Sequence, residues 1–184
     1  MTFLGLAMGC GANSPQPVSG PPIEPPSLEE PNADTAAHSL GTLADDEGAQ
    51  RVACANINLA LANAPDTEAV FINVALFGPL EDTPPMIGET FEIDLSETPD
   101  ALRVQYGSNL TVDVCDDTDD PAQQPVIQDE FLPISGTLVI EVTEQTNVSS
   151  QYRAQVSLVD VRFSEDTAPV TVDLGIETYG WLPG

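Results

Sequence analysis

The sequence predicts an all-β domain, an antiparallel β-sandwich of about eight or nine strands that follows a disordered proline-rich spacer. Three observations carry that prediction. Apolar residues alternate with polar ones in run after run between residues 51 and 184. Clusters of Pro, Gly, Asn and Asp separate those runs. No stretch between them keeps a helical period.

Residues 1–10 form the first segment. The run Phe3-Leu4-Gly5-Leu6-Ala7-Met8-Gly9 ends at Cys10. Leu6-Ala7-Met8-Gly9-Cys10 resembles the box of a bacterial lipoprotein leader, in which the cysteine becomes the lipidated first residue of the mature chain. Gly9 fits the small residue that such a box needs before its cysteine, and Ala7 stands where Leu is commoner. The usual basic start is missing before Phe3, and the apolar run falls short of about 7–15 residues. A basic segment upstream of Met1 is one explanation. The resemblance implies a lipid anchor at Cys10 and a place in the bacterial cell envelope. Gly11 replaces the Asp that retains some lipoproteins at the inner membrane, so the resemblance points to the outer membrane or the cell surface. No run of about 18 apolar residues, the length that crosses a bilayer as a helix, occurs in the sequence. Attachment would be by lipid alone, and one acyl chain holds a protein only marginally.

Residues 11–50 form the spacer. Pro15, Pro17, Pro21, Pro22, Pro25, Pro26 and Pro31 punctuate it, with Ser, Gly, Asn and Glu between them. Such composition favours extended polyproline-II segments and holds a domain away from a surface. Ala33–Gln50 lacks proline, and a helical turn near Thr35–Leu40 is the only local structure expected there.

Residues 51–184 carry the strands, and the stretch is long enough for one substantial core. Ala55, Ile57, Leu59 and Leu61 share one phase, and Asn56 and Asn58 the other. Glu68–Phe77 is apolar on both phases, as a central strand is. Phe91, Ile93 and Leu95 alternate with Glu92 and Asp94, and Leu110, Val112 and Val114 with Thr111 and Asp113. Leu138, Ile140 and Val142 form another run, as do Val170, Val172, Leu174 and Ile176. Between Tyr152 and Phe163 the apolar phase moves from Tyr152, Ala154, Val156 and Leu158 to Val159, Val161 and Phe163. A slip of that kind predicts a β-bulge. Ala64-Pro65-Asp66, Gly78-Pro79, Gly107-Ser108-Asn109 and Ser135-Gly136 supply turns.

The chain has 30 acidic residues, 4 arginines and no lysine, a formal charge of -26. No basic stripe is available to displace counterions from phosphates, which excludes nucleic acid as a partner class. Anionic lipid headgroups are excluded on the same ground. So acidic a surface suits a salty medium, where screening shortens self-repulsion. Each arginine is expected to pair with a carboxylate, and such surface pairs contribute about 0–1 kcal/mol.

Cys54 and Cys115 remain after Cys10. In an exported domain two cysteines form a disulfide. It would close a loop of about 60 residues and stabilise by roughly 4 kcal/mol on the chain-entropy view. Two buried free thiols are the alternative. Both cysteines fall on the polar phase of their runs, which is mutually consistent.

The acidic run Asp116, Asp117, Asp119 and Asp120 is the one metal candidate. Calcium prefers several carboxylate and carbonyl oxygens on a flexible loop. The glycine and closing glutamate of an EF-hand are missing, and a solvated acidic turn is the plainer reading. Tyr179 and Trp181 stand outside the core phases, as an edge cap or as a ligand contact for stacking on a sugar. The only histidine, His38, falls in the spacer, so neither a histidine-based triad nor a zinc cluster is expected in the domain. No catalytic residue and no cofactor is assigned. The first functional reading is a surface-tethered interaction or structural module that meets a protein or glycan at the cell surface. The second is a calcium-assisted binding or adhesion module on the Asp116–Asp120 loop. A glycan-acting enzyme with a carboxylate pair is the third.

Overall fold

The computed structural model describes residues 30–54, 58–74, 86–112, 114, 124–145 and 151–180. Nine strands occur among these residues: β1 (Gln50–Cys54), β2 (Asn58–Ala62), β3 (Glu68–Asn73), β4 (Thr90–Asp94), β5 (Leu102–Ser108), β6 (Val126–Phe131), β7 (Ser135–Gln145), β8 (Gln151–Arg162) and β9 (Val170–Gly180). They form a five-stranded sheet in the order β1-β2-β3-β5-β6 and a four-stranded sheet in the order β4-β7-β8-β9. Every pairing is antiparallel. One apolar cluster joins Leu59, Leu61, Val70, Ile72, Leu102 and Val104 of the first sheet to Leu138, Ile140, Val142, Val156 and Leu158 of the second. The fold is the all-β sandwich that the alternation predicts.

Most runs lie where their pattern puts them. Ile93, Leu95, Leu138, Ile140 and Val142 are buried, and their charged neighbours Glu92, Asp94 and Glu141 are exposed. The bulge in β8 is present. The register shifts between Leu158 and Val161, and Asp160 takes a left-handed φ of 53°. Leu158, Val161 and Phe163 face the core while Val159 turns out to solvent. Opposite it, Gly136 has a φ of 124°, and a Cβ there would lie 2.7 Å from the Val161 Cα. Only glycine fits that approach.

Three features differ from the sequence reading. The first is helix α1 (Ala33–Asp45), placed above in the spacer. The compact unit begins at Pro31 instead of residue 51. Asn32 caps the helix, its Oδ1 accepting from the Thr35 N–H at 3.0 Å. Ala36, Ala37, Leu40, Leu43 and Ala44 fall on one face and enter the core cluster. The helix packs against strands of both sheets. A stripe of three alanines and two leucines is weakly hydrophobic, and Gly41 lowers helix propensity by about 1 kcal/mol relative to Ala. Burial against the sandwich overrides both.

The second difference concerns Leu110–Val114, expected as a strand. Residues 109–112 form turns, with the Val112 N–H donating to Asn109 O and the Val114 N–H to Thr111 O. Asn109 ends β5 with a φ of 55°, which breaks the extended run. The third is β6, an edge strand whose Val126 and Ile127 are half exposed.

Among the described residues no helix is long and apolar enough to cross a membrane.

Two outcomes check this description. Leu40→Ala should cost about 2–5 kcal/mol, the range for emptying a buried leucine site, measured by urea denaturation. A helix outside the core would give almost no change. The second concerns Tyr106, whose hydroxyl lies 2.7 Å from Ser39 Oγ of the helix. Burial raises the phenol above its ordinary 10.0; the Ser39 hydrogen bond opposes this, and the nearby Glu68 charge adds to it. The unfolded phenol therefore ionises first. Its contribution to stability is full below pH 10 and is lost as the pH rises through the folded value. Tyr106→Phe should flatten the alkaline fall in melting temperature relative to the wild type.

Candidate functional site

The outer face of the five-stranded sheet, opposite the core, carries the candidate site. Register places three rows across it. Asn58 pairs with Asn73. Ala60 pairs with Phe71, and Phe71 with Arg103. Ala62 pairs with Ala69, Ala69 with Gln105, and Gln105 with Glu130. An outer face is ordinarily solvated, yet Ala60, Ala62 and Ala69 are fully buried here. Leu110 packs with Ala62, Ala69 and Phe71 into a second small core.

The turn that carries Leu110 is tied down. Asp66, at a φ of 55° in the β2–β3 turn, accepts from the Thr111 N–H at 3.2 Å and from Thr111 Oγ1 at 3.1 Å. Asn63 Oδ1 shapes that β2–β3 turn by accepting from the N–H groups of Thr67 and Glu68. The Gly107 N–H donates to Thr67 O at 2.9 Å. A Cβ on Gly107 would collide with the Val126 carbonyl, so glycine is required where β6 crosses the bulge in β5.

Beside this cover lies a recess of about 290 Å³. Asn58, Asn73, Arg103 and Gln105 supply its polar wall; Phe71, Leu110, Val114, Pro125 and Ile127 are among its apolar lining. Asn58 Oδ1, Asn73 Oδ1 and Arg103 Nε are buried and have no hydrogen-bond partner among the described residues. Buried polar atoms are nearly always paired, and an orphan costs about 1–3 kcal/mol. All three belong to residues that line the recess, and the atoms themselves lie beneath its surface. Two neighbouring groups are engaged: Gln105 Nε2 donates to Glu130 Oε2, and Arg103 Nη1 lies 3.9 Å from the same carboxylate.

A shallower depression lies by Asp94, Ser96, Gly136, Asp160 and Arg162. Its groups are occupied locally. The Ser96 hydroxyl donates to Asp94 at 2.7 Å and the Ser96 N–H at 2.8 Å, and these bonds, the hydroxyl first, hold the carboxyl below its ordinary value. Arg162 Nη1 donates to Thr167 O at 2.7 Å rather than to the expected carboxylate. The other three arginines meet acids: Arg51 with Glu177, Arg103 with Glu130 and Arg153 with Glu144.

His38, assigned above to the spacer, stands exposed on α1, its Nε2 3.4 Å from Thr42 Oγ1. Cys10, Cys115, Asp116, Asp117, Asp119, Asp120 and Trp181 lie outside the described residues. The backbones of Cys54 and Tyr179 belong to β1 and β9, where Cys54 pairs with Asn58 and Tyr179 with Tyr152. Among the described residues no group of three or more His, Cys, Asp or Glu is placed to hold a metal ion. Comparison with protein-family models, curated proteins and solved structures finds no match.

Asn58, Asn73 and Arg103 were not singled out as a site from the sequence. The signal was the small residues Ala60, Ala62 and Ala69 on the polar phase, where a solvated face carries longer polar side chains.

Asn73→Leu should raise stability by about 1 kcal/mol, because it removes a buried orphan acceptor while nearly conserving volume. Chemical denaturation measures it. A loss of stability would mean that the amide is satisfied in the native protein.

Proposed function

We propose that the chain is a cell-envelope lipoprotein that displays a β-sandwich binding module on a proline-rich stalk. The recess of about 290 Å³, with polar and apolar side chains in its lining, is the observation that supports binding over a purely structural role. In this reading Cys10 carries the lipid, the residues up to Pro31 form the stalk, and the sandwich meets its partner at the outer membrane or cell surface. A charge of -26 keeps such a module clear of nucleic acid and anionic headgroups.

Cys54 and Cys115 form a disulfide in the same reading. Cys54 is in register with Asn58 of the recess, and Cys115 follows Val114, which lines it. A bridge there would tie the covering turn to the β1–β2 corner and steady the recess wall.

One experiment tests anchor and bridge together. The protein is extracted with detergent from cells fed labelled palmitate, and its intact mass is read without reducing agent. The expected product carries acyl chains on Cys10 and lacks two hydrogens. Cys10→Ser should abolish the label and shift the protein from the membrane to the soluble fraction. An unlabelled, soluble wild type would sink the anchor, and two free thiols would sink the bridge.

A further inference from the structure

We infer that helix α1 is an ionic-strength switch: it docks on the sandwich at high salt and is released at low salt, with both sheets still paired. The inference is independent of the lipid anchor and of the recess.

The helix meets the sandwich against its own charge. Asp34 lies in the first turn, where the amide end of a helix favours an acid. The other end is mismatched. Asp45 closes the last turn, Asp46 is the capping residue and Glu47 follows, and all three are exposed. The carbonyl end of a helix carries partial negative charge and favours cations. No basic residue lies in that turn, and the chain has no lysine. Of the four arginines only Arg51 bonds to the helix, through the Ala44 carbonyl. Arg103 and Arg153 pair with Glu130 and Glu144, and Arg162 bonds to Thr167 O. Docking also holds these acids against a chain whose formal charge is -26.

Salt acts unequally on the two sides of this balance. Repulsion between exposed charges reaches about 30 Å at 0.01 M salt and about 3 Å at 1 M. The contacts that hold the helix are short and partly buried. Arg51 Nη2 donates to Ala44 O at 3.2 Å, its Nη1 donates to Leu174 O at 2.7 Å, and Ser39 Oγ lies 2.7 Å from the Tyr106 hydroxyl. Screening weakens such contacts much less. Leu40 and Leu43 add uncharged burial. Rising salt therefore removes the repulsion and leaves the attachment.

Release is local for a structural reason. Among the described residues no backbone hydrogen bond joins α1 to a strand, whereas β7 and β8 pair from Ser135 to Gln145. A 13-residue helix containing Gly41 is marginal alone in water. It unfolds when it leaves, and the misplaced acids then part from its carbonyls.

The test is native-state hydrogen exchange of the full chain, read by NMR at about 0.01 M and about 1 M NaCl. At low salt the amides of Leu40, Leu43 and Ala44 should open far more often than those of Ile140, Val142 and Val156. High salt should lower the opening of α1 about fivefold, the size expected of two misplaced charges at a helix end. Asp45→Asn with Glu47→Gln should remove most of that dependence. Asp46 is left in place because its Oδ1 accepts from the Gly48 N–H at 2.8 Å. If α1 and the strands share one opening constant, the helix leaves only when the whole domain unfolds, and the inference fails. It fails also if salt leaves the opening of α1 unchanged. A double variant that keeps most of the dependence would assign the salt effect to burial and overturn the switch.

Discussion

The sandwich depends on closing the side on which its two sheets part, and helix α1 closes it. Leu40 and Leu43 are buried in a cluster shared by both sheets. Arg51 holds the helix there. Its Nη2 donates to Ala44 O in the last helical turn at 3.2 Å, and its Nη1 to Leu174 O at 2.7 Å and to Glu177. The Ala44 carbonyl is one that a helix end leaves without an intrahelical donor. Leu174 sits where the register of β8 with β9 shifts, another place where a carbonyl lacks its ladder partner. One guanidinium on the edge strand β1 thus joins the helix, the first sheet and the second. The value of Arg51 lies in these carbonyls more than in its partly exposed ion pair.

A second closure, on the opposite face, makes the site. Antiparallel sheets commonly leave one face to water. Here the turn from Asn109 to Val112 folds back over the five-stranded sheet, and Leu110 fills the space that the alanines leave. Alanine on β2 and β3 is what lets the turn approach so closely. The cover reaches Phe71 and stops short of filling the space over the Asn58–Asn73 row, so the recess forms at its margin. The same residues that bury the face take the Asn amides and Arg103 Nε out of water.

Legibility in the sequence follows from the range of the interactions. Strands β4, β7 and β8 read out because one face of each is wholly buried, which forces strict alternation, and the bulge read out because Val161 and Phe163 had to regain the core phase. Helix α1 did not, because its face is mostly alanine and its stability comes from distant strands. The run Leu110–Val114 imitated a strand because a covering turn also needs a buried anchor, and period alone does not distinguish them. Strand β6 escaped notice because an edge strand with Val126 and Ile127 half exposed has no buried face to impose a pattern. For the recess, alternation says that Asn58, Asn73 and Arg103 point away from the core and nothing about what lies above them. That depends on contacts between segments some 45 residues apart, such as Asp66 with Thr111.

The recess also runs against stability. A fold selected only for stability would place leucine or valine at residues 58 and 73, extending the apolar contacts of Phe71 and Leu110, as it already places alanine at 60, 62 and 69. It keeps amides instead and leaves their oxygens without partners among the described residues. Local conflicts of this kind concentrate at functional or strained sites. Arg103 sharpens the point. Its Nη1 lies 3.9 Å from Glu130, yet its Nε–H, the donor nearer the sheet, is left unpaired in the wall. Pairing with Glu130 therefore does not account for the whole guanidinium, and the buried nitrogen is a cost that the sheet carries in the wall of the recess.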